Sequence, residues 1–344
     1  LKPLKFAFIA SNKVPAKMLA DPSFIYRCEN VALALQQQGH QVKLLHIRDL
    51  SWRDQFDVVV LHRPRPHFWP NILLKRLARN GTKIIADFDD LVFDPQWVEV
   101  SPGVLNGVAS AKQVGEVFRG HAEMLELCHG FTVSVAPLRD KMQSLMPDRP
   151  VALLFNSVHI NWLNIAPAPD RLSQKRLTYF PGTRSHDRDF ATILPALQEF
   201  LHEEPQVQLC ITGVLNAQVR CRANQLVRNE KQPFVRYAGH VAQSWINLAP
   251  LENTLFNQHK SGLKAIEASY FNAPTLATPI PDMQRLSAAG AVLVDAPEQW
   301  FSSLKTFCDW EYYVDYSKNL RQRILELADA QQQAKRLVAF SATL

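Results

Sequence analysis

Short, almost uninterrupted runs of Val, Ile, Leu and Phe, separated by stretches with helical spacing, recur along this chain and restrict its fold more than any other feature. "KFAFIA" (5–10), "QVKLLHI" (41–47), "FDVVVLH" (56–62), "TKIIADF" (82–88), "FTVSV" (131–135) and "VALLF" (151–155) read as strands. Helices are expected over 23–38, stopping at Gly39, then near 71–79 and around 111–128. Strands that are apolar throughout belong to parallel sheets with helices on both faces.

The pattern stops at "NIAPAPDRLSQKR" (164–176), which lacks periodicity, contains Pro167 and Pro169, and reads as a linker. A second alternation begins at "LTYFPGT" (177–183). It continues with a helix from Asp189 to about Leu201 and strands "VQLCITG" (207–213) and "FVRYAG" (234–239). A helix opening near Ser261, strands "APTLAT" (273–278) and "AVLVD" (291–295), and a helical stretch over 311–338 complete it. The expectation is an α/β chain of two Rossmann-like, doubly wound domains facing each other across a cleft. Residues 1–165 form the first and 170–317 the second, with the helix at about 318–338 packing back on the first. A length of 344 residues suits two domains. Ligands of such sheets sit beyond the carboxyl ends of the strands. Two facing edges suit the joining of two substrates.

At 47% hydrophobic and 20% charged, the composition is that of an ordinary globular protein. No apolar run is long enough to cross a bilayer, and "LKPLKFAFIASNK" lacks a signal-peptide cleavage pattern. The first residue is Leu rather than Met, which leaves open that the chain is a piece of something longer. Cys28, Cys128, Cys210, Cys221 and Cys308 are scattered singly, which points to a reducing cytoplasm and away from a thiolate metal site. A net charge of +6 permits an anionic ligand, and no basic tract resembles a nucleic-acid motif. In "LHRPRPHFWPNILLKR" (61–76), Arg63, Arg65 and Lys75 accompany Phe68 and Trp69. That mixture suits anionic lipid or a lipid-linked acceptor, with peripheral association at the inner face of the plasma membrane, and better still an ordinary proline-rich active-site loop.

Two stretches carry chemistry. In "FNQHKSGLKAIEASYFNAPTLAT" (256–278), Lys260, Lys264 and Glu267 fall on one face of a helix opening at Ser261. The N–H groups of Ser261, Gly262 and Leu263 are free at its start, and Gly262 admits a close ligand. Such an end suits a diphosphate, and a carboxylate two turns on suits a ribose diol. A solvated helix face explains the same charges. In "IIADFDDLVFD" (84–94), Asp87, Asp89 and Asp90 stand at a strand end, as a general base, as groups orienting a hydroxyl, or as turn caps. An Asp-x-Asp pair can also hold a metal-bound diphosphate.

The first stretch, extended back to "APLENT", resembles the donor-site signature of GT-B glycosyltransferases around glycosyltransferase family 4. The resemblance implies that Lys260 and Ser261 meet the donor diphosphate and Glu267 the ribose. His259 stands where the better-known form has a second glutamate. "YFPGTRSHDRDF" (179–190) is similar to the family's phosphate-facing turn, which gives Gly182, Thr183, Arg184 and Arg188 a donor role. "FVRYAGHV" (234–241), with His240, resembles the base-contacting segment. "ASNKVPAKMLADPSFIYRCEN" (10–30) resembles the family's opening, with Tyr26 and Arg27 facing the cleft. On this likeness Asp87, Asp89, Asp90 and Arg63 line the acceptor side, with Asp87, Asp89 and Lys260 as catalytic candidates. The implied activity moves a sugar from a nucleotide-diphosphate sugar to a hydroxyl of a glycan or lipid-linked glycan, in bacterial polysaccharide or lipopolysaccharide assembly. Family 4 also implies retention, no metal or other cofactor, and a diphosphate that takes the acceptor proton. An epimerase, a phosphorylase or a non-catalytic sugar-nucleotide-binding module on the same fold remain alternatives.

Overall fold

Residues 2–11 and 14–344 are described by a computed structural model. Asn12 and Lys13, inside the expected N-terminal loop, lie outside the described residues. The first apolar set forms a parallel sheet of β1 (Lys5–Ala10), β2 (Gln41–His46), β3 (Val58–His62), β4 (Lys83–Phe88), β5 (Gly130–Val133) and β6 (Val151–Leu153). Its order is β2-β1-β3-β4-β5-β6, with Phe8 level with Leu44 on one side and Val60 on the other. Both faces are covered. Val59, Leu61, Ile84 and Phe131 pack toward one set of helices, and Phe6, Phe8, Val58 and Ile85 toward the other.

The second sheet holds β7 (Arg176–Tyr179), β8 (Gln208–Thr212), β9 (Leu226–Asn229), β10 (Ile246–Ala249), β11 (Thr275–Ala277) and β12 (Ala291–Leu293). The order β12-β11-β10-β7-β8-β9 is that of a dinucleotide-binding sheet. Sheet growth reverses between β1 and β3 in the first sheet and between β7 and β10 in the second, and these reversals are where ligands of such sheets bind.

Several elements differ from expectation. "FVRYAG" is no strand: Phe234–Val241 is a helix behind Pro233, with Ala238 and Val241 buried and Val235 85% exposed. Its apolar positions follow helical, not alternating, spacing. The strands β9 and β10 were not expected. β10 hides a polar residue, Asn247, which is satisfied by Thr275 Oγ1 at 3.2 Å. The expected helix from Asp189 is two, Asp187–Ala191 and Leu194–Glu203, divided just ahead of Pro195. The stretch 311–338 is three helices, Trp310–Ser317, Leu320–Leu327 and Ala330–Ala342. Asn319, at φ 65°, divides the first two.

Only the last of these, Ala330–Ala342, returns to the first sheet. Ala330, Ala334 and Leu337 share a core with Phe24, Cys28 and Val31, and Gln38 Nε2 donates to Gln331 O at 2.9 Å. Among the described residues no helix is long and apolar enough to cross a membrane.

Candidate active site

The two reversal points face each other across a cleft of about 860 Å³. Arg63 enters it from the end of β3, and Asp89 and Asp90 from the turn after β4. Phe180, Pro181 and Gly182 follow β7, and Pro250 and Leu251 follow β10. The turn after β8 packs behind them. A Cβ at Gly213, φ 130°, would fall 2.0 Å from Pro181 O, so only glycine fits.

The acids divide into two kinds. Asp87 is buried and fully engaged: Arg27 donates to it from Nη2 at 2.6 Å and Nε at 3.1 Å, Thr132 Oγ1 at 2.8 Å, and His62 Nδ1 lies 3.2 Å away. Burial alone would raise its pKa, but the Arg27 guanidinium and the hydrogen bonds leave it lowered. Asp87 and Arg27 therefore do not reach the cleft, contrary to expectation; they form a structural pair under its floor. Asp89 and Asp90 do line it. Asp89 takes Arg63 Nε and Nη2, both at 2.7 Å, and Ser23 Oγ at 2.5 Å. Arg63 opposes the effect of burial and holds the Asp89 carboxyl well below the usual range. Arg63 itself has φ 42°, sparsely populated for a side chain of its size. Asp90 lies 3.7 Å from Lys260 Nζ, an ion pair between the domains.

On the opposite wall the helix Leu263–Tyr270 starts two residues later than expected, with Gly262 before it. The Gly262 N–H is not free: it donates to Asp282 Oδ2 at 2.6 Å. Nor is Gly262 an opening for a ligand, because a Cβ there would meet Leu286 Cδ1 at 2.6 Å and Met283 Sδ at 3.2 Å. Its smallness serves packing. Ser261 Oγ accepts from Asn156 Nδ2 at 2.9 Å. Leu263 borders the cleft beside Lys260, Ser261, Lys264 and Glu267. Burial lowers the pKa of Lys264, only partly opposed by Glu267. Burial likewise raises that of Glu267. Among the described residues no cation makes a hydrogen bond to Glu267. Tyr26 Oη donates to Oε1 at 2.5 Å from the first domain, and Tyr237 Oη to Oε2 at 2.8 Å from the second.

Other expected donor residues sit elsewhere. Gly182 lines the cleft, but Thr183 and Arg184 do not. Thr183 Oγ1 pairs with Ser185 Oγ at 2.6 Å, and Arg184 is exposed 4.0 Å from Asp187. Arg188 pairs with Glu252 at 2.5 Å. His240 lies on the helix Phe234–Val241, away from the cleft. His259 Nδ1 lies 2.9 Å from Leu255 O and its ring is 5.7 Å from that of Trp97, so it packs against the first domain beside the cleft.

The sequence reading gave no role to His186, which lines the cleft with Nδ1 2.8 Å from Asp189 Oδ2. Burial, together with Lys264 and Lys260, lowers its pKa despite Asp189. The His-x-x-Asp spacing was its only signal. An aromatic wall was also missed: Phe234 stacks on Trp162 at 5.7 Å and meets Tyr26 edge-on at 5.4 Å. Phe234 comes from a helix read as a strand, Trp162 from the end of the first domain just ahead of the linker and Tyr26 from near its start, so no local pattern joins them. Among the described residues no group of three or more His, Cys, Asp or Glu side chains is placed to hold a metal ion.

No protein-family model matches the sequence, and no curated protein matches it. Solved structures share its fold. The chain is similar to sucrose-phosphate synthase from Thermosynechococcus elongatus, with TM-score 0.66 and 12% identity over 99% of this chain and 98% of that one. It is similar to HepE from Anabaena, solved with UDP and glucose, with TM-score 0.61 and 10% identity over 99% and 100%. A candidate UDP-N-acetylglucosamine 2-epimerase from Listeria monocytogenes gives TM-score 0.55 and 10% identity over 98% and 96%. The two parallel six-stranded sheets and these likenesses establish the GT-B fold.

Proposed function

We propose that this chain is a glycosyltransferase that moves a sugar from a nucleotide-diphosphate sugar to a hydroxyl of a glycan acceptor. One observation carries the reading: the two reversal points converge on a single cleft with complementary edges. The second domain supplies Lys260, Lys264, His186 and the start of a helix, with Glu267 one turn further in. The first supplies Asp89, Asp90 and Arg63. As the glycosidic bond breaks, negative charge grows on the leaving diphosphate. Lys260, Lys264 and the Ser261 and Leu263 N–H groups can stabilise it without a metal. Glu267 exchanges one tyrosine hydroxyl for a ribose hydroxyl. Asp89 and Asp90 orient the acceptor.

HepE, with the same fold, was solved with UDP and glucose, which supports a uridine nucleotide sugar as the first donor to try. The motif likeness to family 4 supports retention of the anomeric configuration and a place in bacterial surface-polysaccharide assembly. A cytoplasmic chain working at the inner membrane face belongs to the same reading. Trp69, 66% exposed beside Phe68 at 76%, is its contact with lipid or a lipid-linked acceptor.

The test is a thermal-shift screen of UDP-, GDP-, dTDP-, ADP- and CMP-sugars, followed by assay of nucleotide release with and without glycan acceptors. A ligand at about a hundred times its Kd stabilises by roughly 2.7 kcal/mol. Acceptor-dependent release of nucleoside diphosphate supports a transferase. Interconversion of sugars without an acceptor would make it an epimerase. Binding without turnover would leave a binding module.

A further inference from the structure

Beneath the acidic edge, four polar side chains form a continuous line. His62 Nδ1 lies 3.2 Å from Asp87 Oδ2, His62 Nε2 lies 2.9 Å from Ser23 Oγ, and Ser23 Oγ lies 2.5 Å from Asp89 Oδ2. Only Asp89 reaches the cleft; His62 is 4% exposed. Asp87 is ionised by its pairing with Arg27, so it needs a hydrogen on His62 Nδ1.

The Ser23 hydroxyl has one hydrogen but two close partners, and that count is informative. With Asp89 ionised and Nε2 bare, a single hydrogen serves two gaps and leaves one contact unbonded. One further proton satisfies both. Either Asp89 is protonated, donating to Ser23, which donates to Nε2, or His62 is charged, donating to Ser23, which donates to Asp89. The two arrangements interconvert by moving hydrogens along the line, with no heavy atom displaced.

We propose that Asp87, His62, Ser23 and Asp89 form a proton relay that receives the acceptor hydroxyl proton during sugar transfer. The step rests on the transferase reading. The acceptor O–H bond breaks and its electron pair forms the new bond to the anomeric carbon. The bond from that carbon to the diphosphate oxygen breaks, and its pair leaves with the nucleoside diphosphate. The proton passes to Asp89, Ser23 takes it and hands its own hydrogen to His62 Nε2, and the charge rests on His62 against Asp87. It returns to water along the same path when product leaves.

Asp89, held low by Arg63, cannot store the proton itself, which gives the line behind it a purpose. The strained φ of Arg63 fixes the carboxylate that starts the line. Ser23 and His62 are positioning and relay groups, since neither touches the cleft. The charged or titratable groups acting on the imidazole are Asp87 on β4, Asp89 after it and His121 on the helix Ala111–Glu123. Those acting on the two acids are Arg63 after β3 and Arg27 and Cys28 in the helical segment Ile25–Glu29.

The test uses the full chain with its histidine rings labelled with nitrogen-15. Asp89→Asn should shift the His62 Nε2 resonance in the wild-type background and leave it unmoved in Ser23→Ala, where the connecting hydroxyl is gone. An equal shift in both backgrounds overturns the relay, because charge through space alone would then account for it. The kinetic arm follows UDP release from UDP-glucose against pH. Ser23→Ala should lower kcat about a hundredfold, the lower end for general acid–base assistance. It should leave the donor KM unchanged and remove the acidic limb of the profile, and Ser23→Thr should restore both. A Ser23→Ala profile that matches wild type overturns the relay and assigns the proton to the leaving diphosphate. If no nucleotide sugar is turned over by the wild-type chain, the transferase reading fails and the sugar-transfer role with it, and the resonance experiment still decides whether the four groups are coupled through Ser23.

Discussion

Glu267, on the wall of the interdomain cleft, and Asp87, beneath its floor, are both buried carboxylates, and their surroundings are opposite. Asp87 is held by a guanidinium, a threonine hydroxyl and an imidazole, and its pKa is lowered. Glu267 is held by two neutral phenols, one from each domain, and its pKa is raised. A charge paired with a buried charge is locked, since a ligand would have to replace the whole ion pair. A charge satisfied by neutral donors can change partners at little cost. Burial of a carboxylate thus does not mark a site; the kind of partner does.

The largest expected effect breaks the locked acid. Asp87→Ala leaves Arg27 buried and unpaired and should cost about 3–5 kcal/mol in urea unfolding. Loss of less than about 1 kcal/mol would mean that the pair is not buried as described. Glu267→Ala should instead spare the fold and abolish most nucleotide-sugar binding, weakening it by about 1.5–3 kcal/mol in a thermal-shift titration. Unchanged affinity would remove Glu267 from the donor site.

The two acids also oppose each other in pH dependence. The lowered folded pKa of Asp87 gives stability that is present above the ordinary aspartate value of about 3.9 and lost as pH falls through the folded value. The raised pKa of Glu267 gives stability present below about 4.3 and lost as pH rises through its folded value. At neutral pH, Glu267→Gln should therefore leave stability equal or higher and Asp87→Asn should lower it. Denaturant midpoints that moved in the same direction for both would break the comparison. Tyr26→Phe removes one neutral donor, should cost about 1 kcal/mol of stability, and should leave nucleotide affinity equal or greater. Arg184→Ala is the smallest: an exposed residue outside the cleft should change midpoint and affinity by less than about 0.5 kcal/mol.

The parallel architecture was legible because buried strands carry near-continuous apolar runs, and β1, β3 and β4 each hold one, with Lys5, His62, Lys83 and Asp87 as the exceptions. β10 was not, because its Asn247 looks like a surface residue until Thr275 is placed beside it. "FVRYAG" was misread because a short apolar run does not distinguish a strand from a buried helix edge. At the site, the spacing of Lys260, Lys264 and Glu267 carried the information, since one helix holds all three. Asp87 and Asp89 looked equivalent in sequence. Strand alternation alone would keep them on one face, but β4 ends at Phe88, so Asp87 stays in the sheet against Arg27 while Asp89, in the turn that follows, reaches the cleft. Arg27, Thr132 and His62, which decide that difference, lie 60, 45 and 25 positions from Asp87.

The return of the helix Ala330–Ala342 to the first domain bears on how this molecule is made. Phe24, Cys28 and Val31 leave the ribosome early, yet the apolar surface they belong to is completed by Ala330, Ala334 and Leu337. The second domain's core is complete without that helix. The half synthesised first is thus the half that finishes folding last, and during translation its open face is the one for a chaperone to guard.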